Sequence, residues 1–89
     1  MEQLNTRDNG KIISKTVQGK YYRQDGILLY KGKFENDMKN GQGKSYRKDG
    51  ILLYEGQWRN NLHHGQGKYY RQDGTLQYQG QWINDIFKG

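Results

Sequence analysis

Apolar and aromatic residues along this chain come in short runs broken by Asp-Gly pairs, as in Tyr69-Tyr70-Arg71-Gln72 before Asp73-Gly74 and Thr75-Leu76-Gln77-Tyr78 after it. That pattern predicts a β-hairpin. A two-residue type I′ turn needs positive φ twice, which Asp tolerates and Gly accepts freely. The same pair stands at Asp25-Gly26 and Asp49-Gly50, a constant spacing of 24 residues. Residues 18–41, 42–65 and 66–89 therefore align as three blocks without a gap, and neighbouring blocks agree at 14 of 24 positions. Each block is expected to hold a tight Asp-Gly hairpin and a longer polar connection, Asn36 to Asn40 or Asn60 to His64, ending at Gly41 or Gly65. The result is an all-β antiparallel meander.

A two-residue Asp-Gly turn fixes which residues face each other. Tyr30, Gly32 and Phe34 are expected opposite Tyr21, Gly19 and Val17; Tyr54, Gly56 and Trp58 opposite Ser45, Gly43 and Gly41; Tyr78, Gly80 and Trp82 opposite Tyr69, Gly67 and Gly65. Side chains alternate along a strand, so these residues share one face, where glycine pairs leave bare backbone for the rings to cover. The other face is expected to carry Tyr22, Tyr46 and Tyr70 opposite Leu29, Leu53 and Gln77, with Lys20, Lys44 and Lys68. On it Lys44 opposite Glu55 is favourable and Lys20 opposite Lys31 is not.

Composition at first contradicts an ordered chain. Leu, Ile, Val and Phe number 16 of 89 residues and the net charge is +6, a combination that reads as disorder. The repeats reverse that reading, because a one-layer sheet has little interior to fill. With no Cys, neither a disulfide framework nor a thiolate metal site can form. No apolar run reaches the roughly 18 residues that span a bilayer, and Met1-Glu2-Gln3-Leu4-Asn5 lacks the core of a secretion signal. A soluble, cytoplasmic chain is expected, with peripheral membrane association left open.

The run Tyr54-Glu55-Gly56-Gln57-Trp58 with Asn60, followed by Gly65-Gln66-Gly67-Lys68 and Asp73-Gly74, resembles the MORN (membrane occupation and recognition nexus) repeat. Residues 18–89 carry three copies, the last incomplete, and residues 1–17 form a divergent N-terminal strand or partial repeat in which Asp8-Asn9-Gly10-Lys11-Ile12-Ile13 reads as a further turn and strand. Phe34 in place of the usual Trp and Ser45 in place of an aromatic depart from the pattern. The resemblance implies an elongated, single-layer, twisted meander with no catalytic activity of its own, serving as a scaffold that joins proteins, dimerises in some members, and has lipid binding attributed to it.

Three sets of residues are candidates for a site. The rings Tyr21, Tyr30, Phe34, Tyr54, Trp58, Tyr69, Tyr78 and Trp82 are both the core available to a thin sheet and a candidate protein-binding surface. Arg23, Arg47 and Arg71, placed on the same face opposite Leu28, Leu52 and Leu76, form a basic row suited to oxyanions, or else cover leucines with their stems. The lysines suit an anionic membrane or protect strand edges. His63 and His64 fall in the polar loop of the middle block, without the ligands a metal needs. Asp25, Asp49 and Asp73 are accounted for by turns, no nucleophile has a base, and no cofactor is implied. Aromatics on a basic sheet also suit single-stranded nucleic acid, but these rings are committed to glycine contacts. The expected function is a non-enzymatic interaction module that binds a protein partner or itself, through the aromatic face or the open strand edge at residues 76 to 83. Ile83, Ile86 and Phe87 are placed either to fold over that edge or to meet a partner. An anionic-lipid module and an accessory domain of a larger enzyme are the alternatives.

Overall fold

The computed structural model describes residues 16–89. The turn and strand expected at residues 8–13 lie outside them. Seven strands form one antiparallel sheet in chain order: β1 (Thr16–Tyr22), β2 (Leu28–Glu35), β3 (Met38–Tyr46), β4 (Leu52–Arg59), β5 (Leu62–Tyr70), β6 (Leu76–Ile83) and β7 (Ile86–Phe87). The extents are 49 × 34 × 13 Å, the shortest being one sheet with its side chains. The radius of gyration is 15.2 Å, against about 12 Å for a compact domain of this length. The all-β, single-layer, elongated meander is thus the fold.

The glycine register is the one the sequence implies. Gly19 faces Gly32, Gly43 faces Gly56, and Gly67 faces Gly80, with Tyr21, Ser45 and Tyr69 opposite Tyr30, Tyr54 and Tyr78. Gly32 and Gly43, and Gly56 and Gly67, also pair across the other junctions, so glycine rows run from strand to strand.

The turns are the reverse of the expectation. Positive φ occurs twice in succession at Asn36-Asp37 (54° and 64°), Asn60-Asn61 (49° and 72°) and Asn84-Asp85 (47° and 73°). These are the two-residue hairpin turns, closed by Glu35 opposite Met38, Arg59 opposite Leu62, and Ile83 opposite Ile86. The supposed long polar loops are therefore strand. At Asp-Gly only the glycine has positive φ: 91° at Gly26, 88° at Gly50 and 89° at Gly74. Gly26 N–H donates to the Arg23 carbonyl at 2.9 Å and Arg23 N–H to the Ile27 carbonyl at 2.8 Å, which makes a three-residue loop with its glycine in the bulge position. Asp25, Asp49 and Asp73 each accept, on Oδ1, the N–H two residues on, at 3.2, 3.0 and 3.0 Å. That bond holds the aspartate out of the left-handed region the two-residue turn would have required.

A three-residue loop shifts the register by one, and a bulge restores it. Tyr22, Tyr46 and Tyr70 face Leu28, Leu52 and Leu76, not Leu29, Leu53 and Gln77, and the shift ends at the next pair along. The arginines close the loops: Arg23, Arg47 and Arg71 pair through backbone with Ile27, Ile51 and Thr75, not with the leucines one position on. A second bulge follows the Asn36 and Asn60 turns, where Gly41 and Gly65 take φ of 93° and 100°.

Candidate functional site

Each repeat places a tyrosine two residues before a strand glycine and a large ring two residues after it, so all three share the aromatic face. Tyr30 and Tyr54 are fully buried there. Each lies over the glycine of the following strand: a Cβ at Gly43 would stand 2.5 Å from Tyr30 Cζ, and one at Gly67 2.5 Å from Tyr54 Cε1. Their hydroxyls donate to the carbonyls of Lys33 and Gln57 at 2.9 and 2.8 Å. Burial pushes both phenols up to about 12. Trp58 and Trp82 reach back over the preceding strand and donate from Nε1 to the carbonyls of Gly43 and Gly67 at 3.1 and 3.2 Å.

These rings meet edge to face. Trp58 stands between Tyr30 and Tyr54, with centroids 5.3 and 5.1 Å away and planes 87° and 84° apart. Phe34 meets Tyr30 at 5.0 Å and Trp82 meets Tyr54 at 5.5 Å. Phe34 and Tyr69 are half-buried against this core. Tyr21 and Tyr78, of the outermost described repeat units, are 55% and 40% exposed. The ring set named from the sequence is therefore brought together, with its middle as core and its ends on the surface.

Three members of the face were not placed on it from sequence. Lys39, His63 and Phe87 sit at one repeat position, 24 residues apart, opposite Phe34, Trp58 and Trp82. His63 belongs to β5, not to a solvated loop; it stacks on Tyr54 at 3.8 Å and 12°. Lys39 Nζ lies 5.1 Å from the Trp58 ring centroid and 5.3 Å from that of Tyr30, within cation–π range. Phe87 packs on Tyr78 and Trp82 at 4.8 and 5.1 Å. The signal was their shared position in the repeat, obscured because the side chain changes from Lys to His to Phe.

His63 Nδ1 is 3.4 Å from Asp85 Oδ1, which also accepts the His63 backbone N–H at 2.7 Å. Burial holds the imidazole below its ordinary value of 6.5; the Asp85 carboxylate opposes that shift and the Lys39 charge adds to it. The unfolded chain thus takes up this proton more readily than the folded one, so the stabilisation is complete above about 6.5 and is lost as pH falls below it. Urea midpoints are expected to drop between neutral and mildly acidic pH, and to drop less in His63→Phe, which copies the third repeat. Equal drops in the two proteins would remove His63 as the source.

The arginines are engaged within the sheet. Arg23 Nη2 lies 3.1 Å from Asp25, Arg47 Nη2 donates to the Tyr70 carbonyl at 2.8 Å, and Arg71 Nη1 donates to Thr75 Oγ1 and the Leu76 carbonyl, both at 3.2 Å. On the opposite face Lys20, Lys31, Lys44, Glu55, Lys68 and Gln79 are successive cross-strand neighbours in one row. Among the described residues no group of His, Asp or Glu has the arrangement of a metal site.

At the β6–β7 end of the aromatic face lies an open groove of about 640 Å³, lined by His63, Tyr69, Gln77, Tyr78, Trp82, Asp85 and Phe87. The family model described as the MORN repeat matches residues 30–51, 54–76 and 78–89, more than half of the chain. The chain belongs to the MORN repeat family. Neither the curated proteins nor the solved structures returned a match. The three matched segments each begin at or beside a face tyrosine, Tyr30, Tyr54 or Tyr78. MORN repeats are non-catalytic modules associated with protein or lipid interaction. No helix among the described residues of this MORN chain is long and apolar enough to cross a membrane.

Proposed function

We propose that this MORN chain is a non-enzymatic scaffold that binds a protein segment on its aromatic face. The observation that supports this reading is the open groove of about 640 Å³ on the aromatic face beside Tyr78. Tyr30 and Tyr54 are closed over by neighbours, whereas Tyr78 presents 40% of its surface. Exposed aromatic area next to a polar carboxylate, here Asp85, suits a peptide that carries an apolar anchor and a donor.

The test is selection of displayed linear peptides on the immobilised 89-residue chain. Selected peptides are expected to lose at least tenfold in affinity for Tyr69→Ala, which lines the groove, and to bind Lys68→Ala, on the opposite face, as they bind the parent. Peptides insensitive to Tyr69 would remove the groove from the reading. The lipid alternative rests on the adjacent Lys20, Lys31 and Lys44. Flotation with anionic vesicles that is abolished by salt, with no peptide selected, would move the assignment there, because surface attraction is screened within about 10 Å at 0.1 M salt.

A further inference from the structure

The groove on the aromatic face is walled by rings and carries one carboxylate. Ring centroids stand 6.0 Å apart for Tyr69 and Tyr78, 5.9 Å for Tyr69 and Trp82, and 6.2 Å for Tyr78 and Trp82, with planes inclined by 38°, 46° and 81°. Phe87 adds a fourth ring, 4.8 Å from Tyr78 and 5.1 Å from Trp82. We infer that this groove seats a methylated lysine of the bound protein segment, with its dimethylammonium head against the rings and its remaining N–H on Asp85. The inference rests on the scaffold reading above and names the anchor which that reading leaves general.

Ring faces carry the negative side of the aromatic quadrupole, so a cluster of them attracts a cation. The charges agree. The chain has fifteen lysines and arginines and a net charge of +6, yet none of these cations among the described residues lines the groove. Burial holds the His63 imidazole below its ordinary value and so neutral at pH 7, which leaves Asp85 as the one full charge in the lining. Its side chain is 50% exposed. Oδ1 accepts the His63 N–H at 2.7 Å, which leaves Oδ2 for a ligand donor.

The same face already seats a cation of the chain's own. Lys39 Nζ lies 5.3 Å from the Tyr30 centroid and 5.1 Å from that of Trp58, and the Asp85 carboxylate favours its charged form. At the repeat position of Lys39 the last unit has Phe87, so the rings beside Tyr78 receive no ammonium from that position. Methylation suits what remains. An unmodified ammonium brings three N–H donors and a guanidinium five, whereas these walls are ring surface with a single charged acceptor. Two methyl groups remove two donors, add apolar contact and keep the charge.

The test is an NMR titration of the 89-residue chain, read at the Trp82 Nε1–H and Phe87 ring resonances, with dimethyllysine capped at both ends. The comparison probes are capped lysine and the neutral analogue in which CH replaces the charged N–H. Dimethyllysine is expected to bind about tenfold more tightly than either. Asp85→Asn isolates the charge, because Asn61 holds the same repeat position at φ of 72° against 73° and its Oδ1 accepts the Lys39 N–H at 2.9 Å. It should weaken dimethyllysine about fivefold and leave the neutral analogue unchanged. Tyr78→Leu keeps an apolar wall without the ring face and should abolish the preference for the cation; far-UV circular dichroism checks that both variants fold. A neutral analogue that binds as well as dimethyllysine, or a dimethyllysine affinity untouched by both substitutions, would overturn the inference. Selected peptides that depend on Tyr69 yet are not displaced by dimethyllysine would also overturn it, and would leave the scaffold reading standing.

Discussion

Replacing Gly67 by valine should unfold the chain or cost it about 3 kcal/mol or more, the upper end of overpacking penalties. A Cβ there would stand 2.5 Å from Tyr54 Cε1. The ring has nowhere to go. His63 stacks on it at 3.8 Å, Trp58 and Trp82 stand edge-on at 5.1 and 5.5 Å, and its hydroxyl is held by the Gln57 carbonyl at 2.8 Å. Gly56 and the Gly67 backbone close the other side, since a Cβ at Gly56 would itself strike Gly67 Cα. The milder Gly67→Ala should still be severe and should couple to Tyr54→Ala in a double-mutant cycle, because removing the ring removes what the methyl strikes.

Two other glycines set the scale. Gly26 has nothing within 4 Å of its missing Cβ but sits at φ of 91°, so Gly26→Ala should cost roughly 1 to 2 kcal/mol of backbone strain. At Gly19 the neighbour is the half-buried Phe34 ring at 3.1 Å, a side chain with room to shift, so Gly19→Ala should cost less than Gly67→Ala. Urea midpoints in the order parent, Gly19→Ala, Gly67→Ala are the expected result. A Gly67 variant as stable as the Gly19 variant would mean that the tyrosine is not seated in a glycine trough.

That trough was legible in the sequence because period, alternation and the recurrence of glycine and tyrosine all constrain the same pairs. The turns were not. Asp-Gly and Asn-Asn or Asn-Asp are both hairpin signals, and what separates them is the Asp side-chain bond to the N–H two residues on. The register survived that misreading because the longer loop and the extra residue at Leu29, Leu53 or Gln77 displace the pairing by one in opposite senses. The pairing of Arg23, Arg47 and Arg71 with the leucines did not survive, since these arginines lie next to the loop, before the bulge corrects the count. The position of His63 was hidden by the same error, which made strand β5 begin too late. Tyr78 posed a different problem: its place in the repeat matches that of Tyr54, and only the contacts in the structure show that it is 40% exposed where Tyr54 is buried.

Trp58→Ala is expected to cost about 3 to 5 kcal/mol, the range for truncating a buried large aromatic. A small domain has roughly 5 to 15 kcal/mol to lose. Trp58 is 6% exposed and is the wedge between two tyrosines of successive repeats. Its removal would strip an edge-on wall from both Tyr30 and Tyr54, the cation–π face from Lys39, and the donor from the Gly43 carbonyl. Stability in a repeat array is a sum of unit and neighbour terms, so weakening one junction should do more than lower the midpoint. β1 to β3 should melt ahead of β5 to β7, giving a broadened transition with a reduced apparent m-value. Trp58→Phe is the informative control, because Phe34 shows that the first repeat tolerates phenylalanine at this position. It keeps most of the ring contacts and loses the Nε1–H bond, so about 1 kcal/mol and a single transition are expected. A Trp58→Ala chain that unfolds in one step at the parental midpoint would show that the rings decorate the sheet without holding its repeats together, leaving the backbone ladder and the glycine register to do so.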